Sequence, residues 1–366
     1  MARLPPQLPL EIIIDILSRL PVKPLLRFKC VCKSWHSLFS NNTQFAKIHL
    51  QRIKQDTKVN SHKLFLFTLP PISIDHEAYC NNSDGDIVTR ELSLPPRELT
   101  PDLLFVKSCD GLICIVFDSK LIVWNPSTGQ SKDLPLTNSF SNDMVFFEFG
   151  YDSRLDDYQI VKGVHSGSAE AVKMEVFSLK GNTWRTIQVI APTTVSRLEP
   201  TSLNNGVLHW LSKVNDPCKK SVIVSVDLAE DKFLEMTPVP DYIPKDTRIY
   251  IKVLGDCLYV YAIDTVYWEA WIVEGSGTKA SWTRLFKYCS NPTVFVWTEC
   301  SLQILWVSKN GNILLNTDGW ELVLYNPKEQ TLKQYRVPND GDDGFLATAY
   351  METLVSPNAP DGSIIE

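Results

Sequence analysis

Residues 110–126, DGLICIVFDSKLIVWNP, and residues 310–327, NGNILLNTDGWELVLYNP, are two copies of one pattern. Each opens on an Asp-Gly or Asn-Gly pair, runs through β-branched and apolar residues, turns, and runs through a second such stretch ending on aromatic-Asn-Pro. Short apolar runs bounded by Gly, Asn, Asp and Pro are the mark of strands joined by tight turns. The first copy continues into Lys132-Asp133-Leu134-Pro135, the second into a lysine and Val337-Pro338. Between them, Asn205-Gly206-Val207-Leu208 leads to Ile223-Val224-Ser225-Val226-Asp227, Phe233 and Val239-Pro240, and Gly255-Asp256-Cys257-Leu258 leads through Trp271 to Trp282. The unit from 149 to 190 keeps only the later half, Val176-Phe177 and then Trp184. Comparable glycines at 206, 255 and 311 fall about 50 residues apart, the period of a propeller blade of four strands.

Strands are predicted at 63–69, 103–108, 111–117, 120–125, 145–151, 158–164, 172–178, 183–190, 206–212, 221–227, 249–254, 257–263, 268–274, 294–298, 303–308, 311–316 and 321–325. Many short strands with almost no helix argue for a sandwich, barrel or propeller, and the repeat favours the propeller. An irregular two-sheet β domain is the alternative.

The first fifty residues read differently. In residues 8–39, LPLEIIIDILSRLPVKPLLRFKCVCKSWHSLF, the positions Leu8, Ile12, Ile13, Ile16, Leu17 and Leu20 recur at helical spacing, and Pro21 stops the run. After Pro24, the residues Leu25, Phe28, Val31, Cys32, Trp35, Leu38 and Phe39 mark one side again. A few dozen residues cannot bury stripes this wide among themselves, so another surface must cover part of them.

Leu8-Pro9, Glu11, Ile16-Leu17, Arg19-Leu20-Pro21, Leu25-Leu26, Val31-Cys32-Lys33 and Trp35 are similar to the F-box, closely to its plant version. The resemblance implies a three-helix module that docks the Skp adaptor of a cullin-based ubiquitin ligase. Carried over by position, Leu8, Pro9, Ile13, Ile16, Leu17, Leu20 and Pro21 would face the adaptor. Leu25, Leu26, Val31, Cys32 and Trp35 would serve both the module's core and that interface. The body resembles the kelch-like F-box-associated domain of S-locus F-box and F-box/kelch-repeat proteins, through Trp124-Asn125-Pro126 and Phe149-Gly150-Tyr151-Asp152. It lacks the Gly-Gly doublet of true kelch repeats. The expected organisation is α+β by domain: a small three-helix F-box at 1–50, a connecting segment with the first strands at 51–100, a large all-β, kelch-like propeller at 101–356, and a flexible tail at 357–366.

Composition is that of an ordinary globular chain, 44% hydrophobic and 21% charged, and no apolar run is long enough to span a membrane. Nine scattered cysteines without a Cys-x-x-Cys pair, and no signal-like N-terminus, predict free thiols in a reducing compartment, cytoplasmic or nuclear. Residues 1–60 carry ten basic and three acidic side chains, while the rest carries 26 and 39. A basic head could suit nucleic acid, but basic residues alternating with a buried stripe more often form a solvated face. The family reading supplies a better partner, because Skp adaptors are acidic and opposite charge speeds encounter.

Chemistry is sparse. The histidines at 36, 49, 62, 76, 165 and 209 are dispersed, with no helical pair suited to zinc, and no nucleophile elbow or phosphate loop is present. Ser166 beside His165 would point to the opposite strand face. Asn82, Asp84, Gly85, Asp86 and Glu91 approach a calcium-loop spacing, but Cys80 takes the first ligand position, and an Asp-Gly hairpin explains the same letters. No cofactor, metal or catalytic residue is expected. Tryptophans recurring once per blade read as core, with Tyr267 and Trp268 the candidate loop aromatics for a target protein. The expected function is a non-catalytic target receptor; a glycan- or small-ligand-binding propeller and a propeller enzyme are the alternatives.

Overall fold

The computed structural model describes residues 8–40, 42–55, 62–68, 70–75, 89–94, 103–117, 120–135, 145–164, 171–190, 201–213, 221–240, 243, 247–254, 257–263, 267–275, 277–289, 302–308, 310–317, 319, 321–337 and 344–358. The predicted strand at 294–298, the 80–88 turn, the His165-Ser166 pair, His76, Trp297, Trp320 and the last eight residues lie outside them. Two compact units divide the chain: residues 1–136 with 346–366, and residues 137–345.

The first unit begins with four helices, α1 (Leu10–Leu17), α2 (Val22–Phe28), α3 (Lys33–Ser40) and α4 (Thr43–Gln55). The expected module of three helices is thereby extended by one. Sequence reading missed α4 because its outward face is basic and polar, leaving only Phe45, His49 and Leu50 buried. Two four-stranded sheets complete the unit. One holds β1 (His62–Phe67), β2 (Ile72–Asp75) and β3 (Thr89–Glu91), closed by β24 (Leu346–Met351) from the far end of the chain; the other is β4 (Leu103–Cys109), β5 (Leu112–Phe117), β6 (Lys120–Trp124) and β7 (Ser131–Leu134). β24 runs antiparallel to β1 from His62↔Met351 to Phe67↔Leu346. Phe65, Phe67, Ile113, Ile115, Trp124 and Tyr350 fill the space between these sheets.

The second unit contains four sheets of the same kind, each strand paired with its chain neighbour. They are β8 (Val145–Asp152), β9 (Asp157–Val164), β10 (Ala171–Ser178) and β11 (Thr183–Ile190); β12 (Thr201–Asn204), β13 (Val207–Lys213), β14 (Ser221–Asp227) and β15 (Lys232–Pro238); β16 (Arg248–Leu254), β17 (Cys257–Ile263), β18 (Tyr267–Glu274) and β19 (Ser281–Cys289); and β20 (Leu302–Val307), β21 (Ile313–Thr317), β22 (Glu321–Asn326) and β23 (Thr331–Arg336). Apolar side chains of one sheet pack on those of the next: Val176 and Met174 meet Trp210 and Val224, Ile223 meets Trp271 and Val260, and Trp268 and Phe286 meet Tyr325 and Leu315. Six four-stranded antiparallel sheets among the described residues are the blades that the repeat predicts, and the irregular two-sheet alternative falls.

The repeat has a local cause. Asp110 and Gly111 (φ 52° and 83°), and Asn205 and Gly206 (φ 45° and 76°), are both left-handed, the backbone of a two-residue hairpin between the first and second strands. After the third strand, an Asn or Asp folds back on the chain. Asn125 Oδ1 accepts from the amides of Ser127 and Thr128, Asp227 Oδ1 from those of Ala229 and Glu230, and Asn326 Oδ1 from those of Lys328 and Glu329. That is an Asx turn, and it is why Asn or Asp recurs at this place.

The Phe149-Gly150-Tyr151-Asp152 segment is an inter-blade lock. Asp152 is fully buried, and the Arg154 guanidinium bridges it at 3.1 Å to Asp227 of the next blade at 2.6 Å. Gly206 is required beneath it, since a Cβ there would meet Asp152 Oδ2 at 2.0 Å.

Candidate functional site

Pro9 starts α1 with its own oxygen accepting the amides of Ile12 and Ile13 at 3.1 and 3.2 Å. The helix ends at Ser18, whose hydroxyl turns back to the Asp15 oxygen, and Pro21 starts α2. These prolines are tolerated because a first helical turn has no internal acceptor for their missing amides. Asn42 caps α4 by accepting from the Phe45 amide at 2.8 Å.

The helices are held by a graded core. Leu17, Val22, Leu25, Phe39 and Phe45 are buried, and Leu354 from the C-terminal segment joins them. An aromatic run crosses the module: Phe28 to Trp35 (5.6 Å), Trp35 to Phe39 (6.1 Å), Phe39 to Phe45 (5.4 Å) and Phe45 stacked on His49 (6.2 Å). His49 is buried, its Nε2 2.9 Å from the Leu20 oxygen, and burial pushes its pKa down. Asp15 ties α1 to α4 by an ion pair with Arg52 and pairs with Arg19 at 3.0 Å; chiefly the Arg52 hydrogen bond holds its carboxyl below the usual range.

What the core leaves outside is the notable surface. Leu8 (59% exposed), Leu10 (66%), Ile12 (47%), Ile16 (49%) and Val31 (61%) are large apolar side chains facing solvent on one small module. Isolated exposed apolar residues are ordinary, but five on so short a segment are more than scatter. Lys23, Arg27 and Lys33 are exposed nearby in sequence. The Cys32 thiol is exposed too, its pKa lowered first by the Ser34 hydroxyl and then by the amides of Trp35 and Ser34.

The structure sorts the expected adaptor residues into three groups. Leu8, Pro9, Ile16, Pro21, Val31 and Cys32 are exposed, while Ile13, Leu20, Leu26 and Trp35 are half-buried. Leu17 and Leu25 are buried, 3% and 0% exposed, and belong to the core. Helical spacing missed Leu10, which lies in the first turn, and the carry-over from the F-box left Ile12 out of the expected contacts although the stripe includes it. Among the target-binding candidates, Tyr267 is half-buried with the Lys287 ammonium 4.3 Å over its ring. Trp268 is corrected: it is 5% exposed and wedged against Phe286 and Tyr325, because alternate β18 side chains face the neighbouring blade.

Elsewhere, no group of three or more His, Cys, Asp or Glu is arranged to hold a metal among the described residues. No helix is long and apolar enough to cross a membrane among them. His209 Nδ1 lies 2.9 Å from Ser225 Oγ, but the two are cross-strand partners and Ser225 is buried, so the pair satisfies its own polar groups.

Comparison with known proteins assigns the chain in two parts. The F-box domain family matches residues 5–46, and the family described as F-box associated beta propeller domain matches residues 52–357. The chain belongs to the F-box proteins with an associated β-propeller. An F-box/kelch-repeat protein of Arabidopsis thaliana is 29% identical over 97% of both chains. F-box/WD-40 repeat-containing protein 1 of the same plant is 24% identical over 84% of this chain and 76% of its own length. The F-box match takes in α1–α3 and the first turn of α4, and the exposed Leu8, Leu10, Ile12, Ile16 and Val31 lie within it.

Proposed function

We propose that this F-box protein is the target-recognition subunit of an SCF-type ubiquitin ligase. Its F-box holds a Skp adaptor, and through it a cullin, while the propeller presents a target protein for ubiquitination and degradation. The observation that carries the reading is the exposed apolar set Leu8, Leu10, Ile12, Ile16 and Val31 on a module whose own core is already filled. Fully covering one such side chain is worth roughly 1.5–3 kcal/mol, so an adaptor groove that takes several gains a stable complex. The chain's contribution to transfer is positional: it brings a target lysine near a charged carrier supplied by other subunits. No residue of the chain is assigned a catalytic role. Such a receptor works in the cytoplasm or nucleus, where the ligase operates.

Capture of a purified Skp adaptor by the full chain tests the proposal. Binding that strengthens at low salt is expected from the basic head meeting an acidic partner. Failure to bind where a second F-box protein binds would sink it.

A further inference from the structure

We propose that the F-box of this chain is completed by the chain's own C-terminus: residues 353–355 form a strap whose seating finishes the helical module, so that adaptor docking waits on closure of the first blade. The docking half rests on the function proposed above; the completion half rests on the structure of the first unit.

Leu354 is 5% exposed and is the one buried member of the F-box core that comes from outside residues 8–55, among the described residues. It sits three positions beyond the end of β24 at Met351. Its neighbours fix it on both sides. Thr353, fully buried, donates through its hydroxyl to the Asp110 oxygen at 2.9 Å. The Asn125 amide donates to the oxygens of Thr353 at 3.1 Å and Val355 at 2.7 Å. Gly111 lets the strap pass close over the hairpin, because a Cβ there would meet Thr353 Oγ1 at 2.3 Å and the Met351 oxygen at 2.6 Å. Lys54 at the end of α4 pairs with the same turn, 2.6 Å from Asp110.

The order of synthesis gives this arrangement its consequence. The helices are made before the propeller, yet one of the six buried side chains of their core, Leu354, is made only after it. A helical module this small holds few core residues, so the loss of one leaves it loose. Leu354 reaches the helices only once β24 has paired with β1. An interrupted chain, or one with an unclosed propeller, therefore presents an unfinished F-box, and adaptor capture reports a completed receptor.

The test compares full-length wild type, Leu354→Ala and Asn125→Ala by hydrogen exchange, with capture of a purified Skp adaptor in parallel. Leu354→Ala is expected to speed exchange in α1–α3 by about tenfold or more while β9 and β14 stay protected, and to weaken capture. Asn125→Ala, which keeps every F-box residue and the Leu354 side chain, is expected to move both readouts in the same direction. Unchanged exchange in α1–α3 in both variants overturns the strap. Equal loosening of β9 and β14 also overturns it, since Leu354 would then support the whole chain and not the F-box in particular. Wild type that captures no adaptor, with the exchange pattern as expected, overturns the ligase reading and leaves the completed F-box standing.

Discussion

The side-chain amide of Asn125 donates to the main-chain oxygen of Val355 at 2.7 Å, joining residues 230 positions apart. The same side chain's oxygen closes the Asx turn after β6. One buried residue thus serves the local repeat and the long-range closure together, using both ends of its amide. Asn and Asp are alike in the first task, but a carboxylate cannot donate to the two strap oxygens.

The exposed and buried parts of the F-box should separate in mutation. Ile12→Asp combined with Ile16→Asp is expected to lower adaptor affinity by tenfold or more while changing stability by less than about 0.5 kcal/mol. Leu25→Ala removes a fully buried side chain and is expected to cost about 2–5 kcal/mol of stability. Denaturant titration beside adaptor binding checks the contrast; equal effects of both on stability would refute the division.

Tyr267 and Trp268 are neighbours with opposite fates. Trp268→Ala opens a cavity between Phe286 and Tyr325 and should cost about 3–5 kcal/mol. Tyr267→Ala is expected to cost well under that, because its ring is only half-buried and its contact with the Lys287 ammonium lies at 4.3 Å. Melting temperatures of the two variants decide it.

Acid should weaken the propeller through His209. Burial pushes its pKa down to about 4 from 6.5, so the fold keeps the ring neutral while the unfolded chain takes up a proton below about 6.5. Its stability contribution is full above that value and is lost as pH falls toward 4, below which both states are protonated. Going from pH 7 to pH 5 should remove about 2 kcal/mol, a loss that His209→Gln abolishes. His49 in the F-box, also shifted down by burial, acts with the same sign. Urea midpoints at the two pH values give the comparison.

The Arg154 bridge predicts a cost paid by its partners. Arg154→Ala strands the carboxylates of Asp152 and Asp227 with fewer donors and should destabilise the second unit by about 2–3 kcal/mol. Arg154→Lys is expected to recover little, because one ammonium cannot reproduce the fork spanning two carboxylates. Thermal unfolding of the three proteins tests both statements.

Much of the fold was legible because inner strands carry it. The strands at 111–117, 120–125, 221–227 and 257–263 are nearly continuous apolar runs, those at 121–124 and 222–227 buried throughout, and such runs announce themselves. The fourth strands mostly did not, the one at 183–190 excepted. β3 reads Thr-Arg-Glu, β7 Ser-Lys-Asp-Leu and β23 Thr-Leu-Lys-Gln-Tyr-Arg, polar enough to pass for loops because the outer edge of a blade faces solvent. Only pairing with an inner strand makes them strands. In the F-box the helical stripes were visible, but the stripe alone does not say which side is covered from within. Leu17 and Leu25 face the core, while Ile12 and Ile16, with equal hydrophobicity, face out.

Period and turn chemistry are local properties that each segment carries alone, so the two modules, the blade repeat and the F-box signature were readable residue by residue. Which side chain lies where came only from packing. It turned Trp268 inward, exposed Leu10, joined His209 to Ser225 and carried Leu354 into a helical core made more than three hundred residues earlier. The physical reason is the same in each case: burial depends on which surfaces meet, and segments distant in the chain meet only once the sheets have closed.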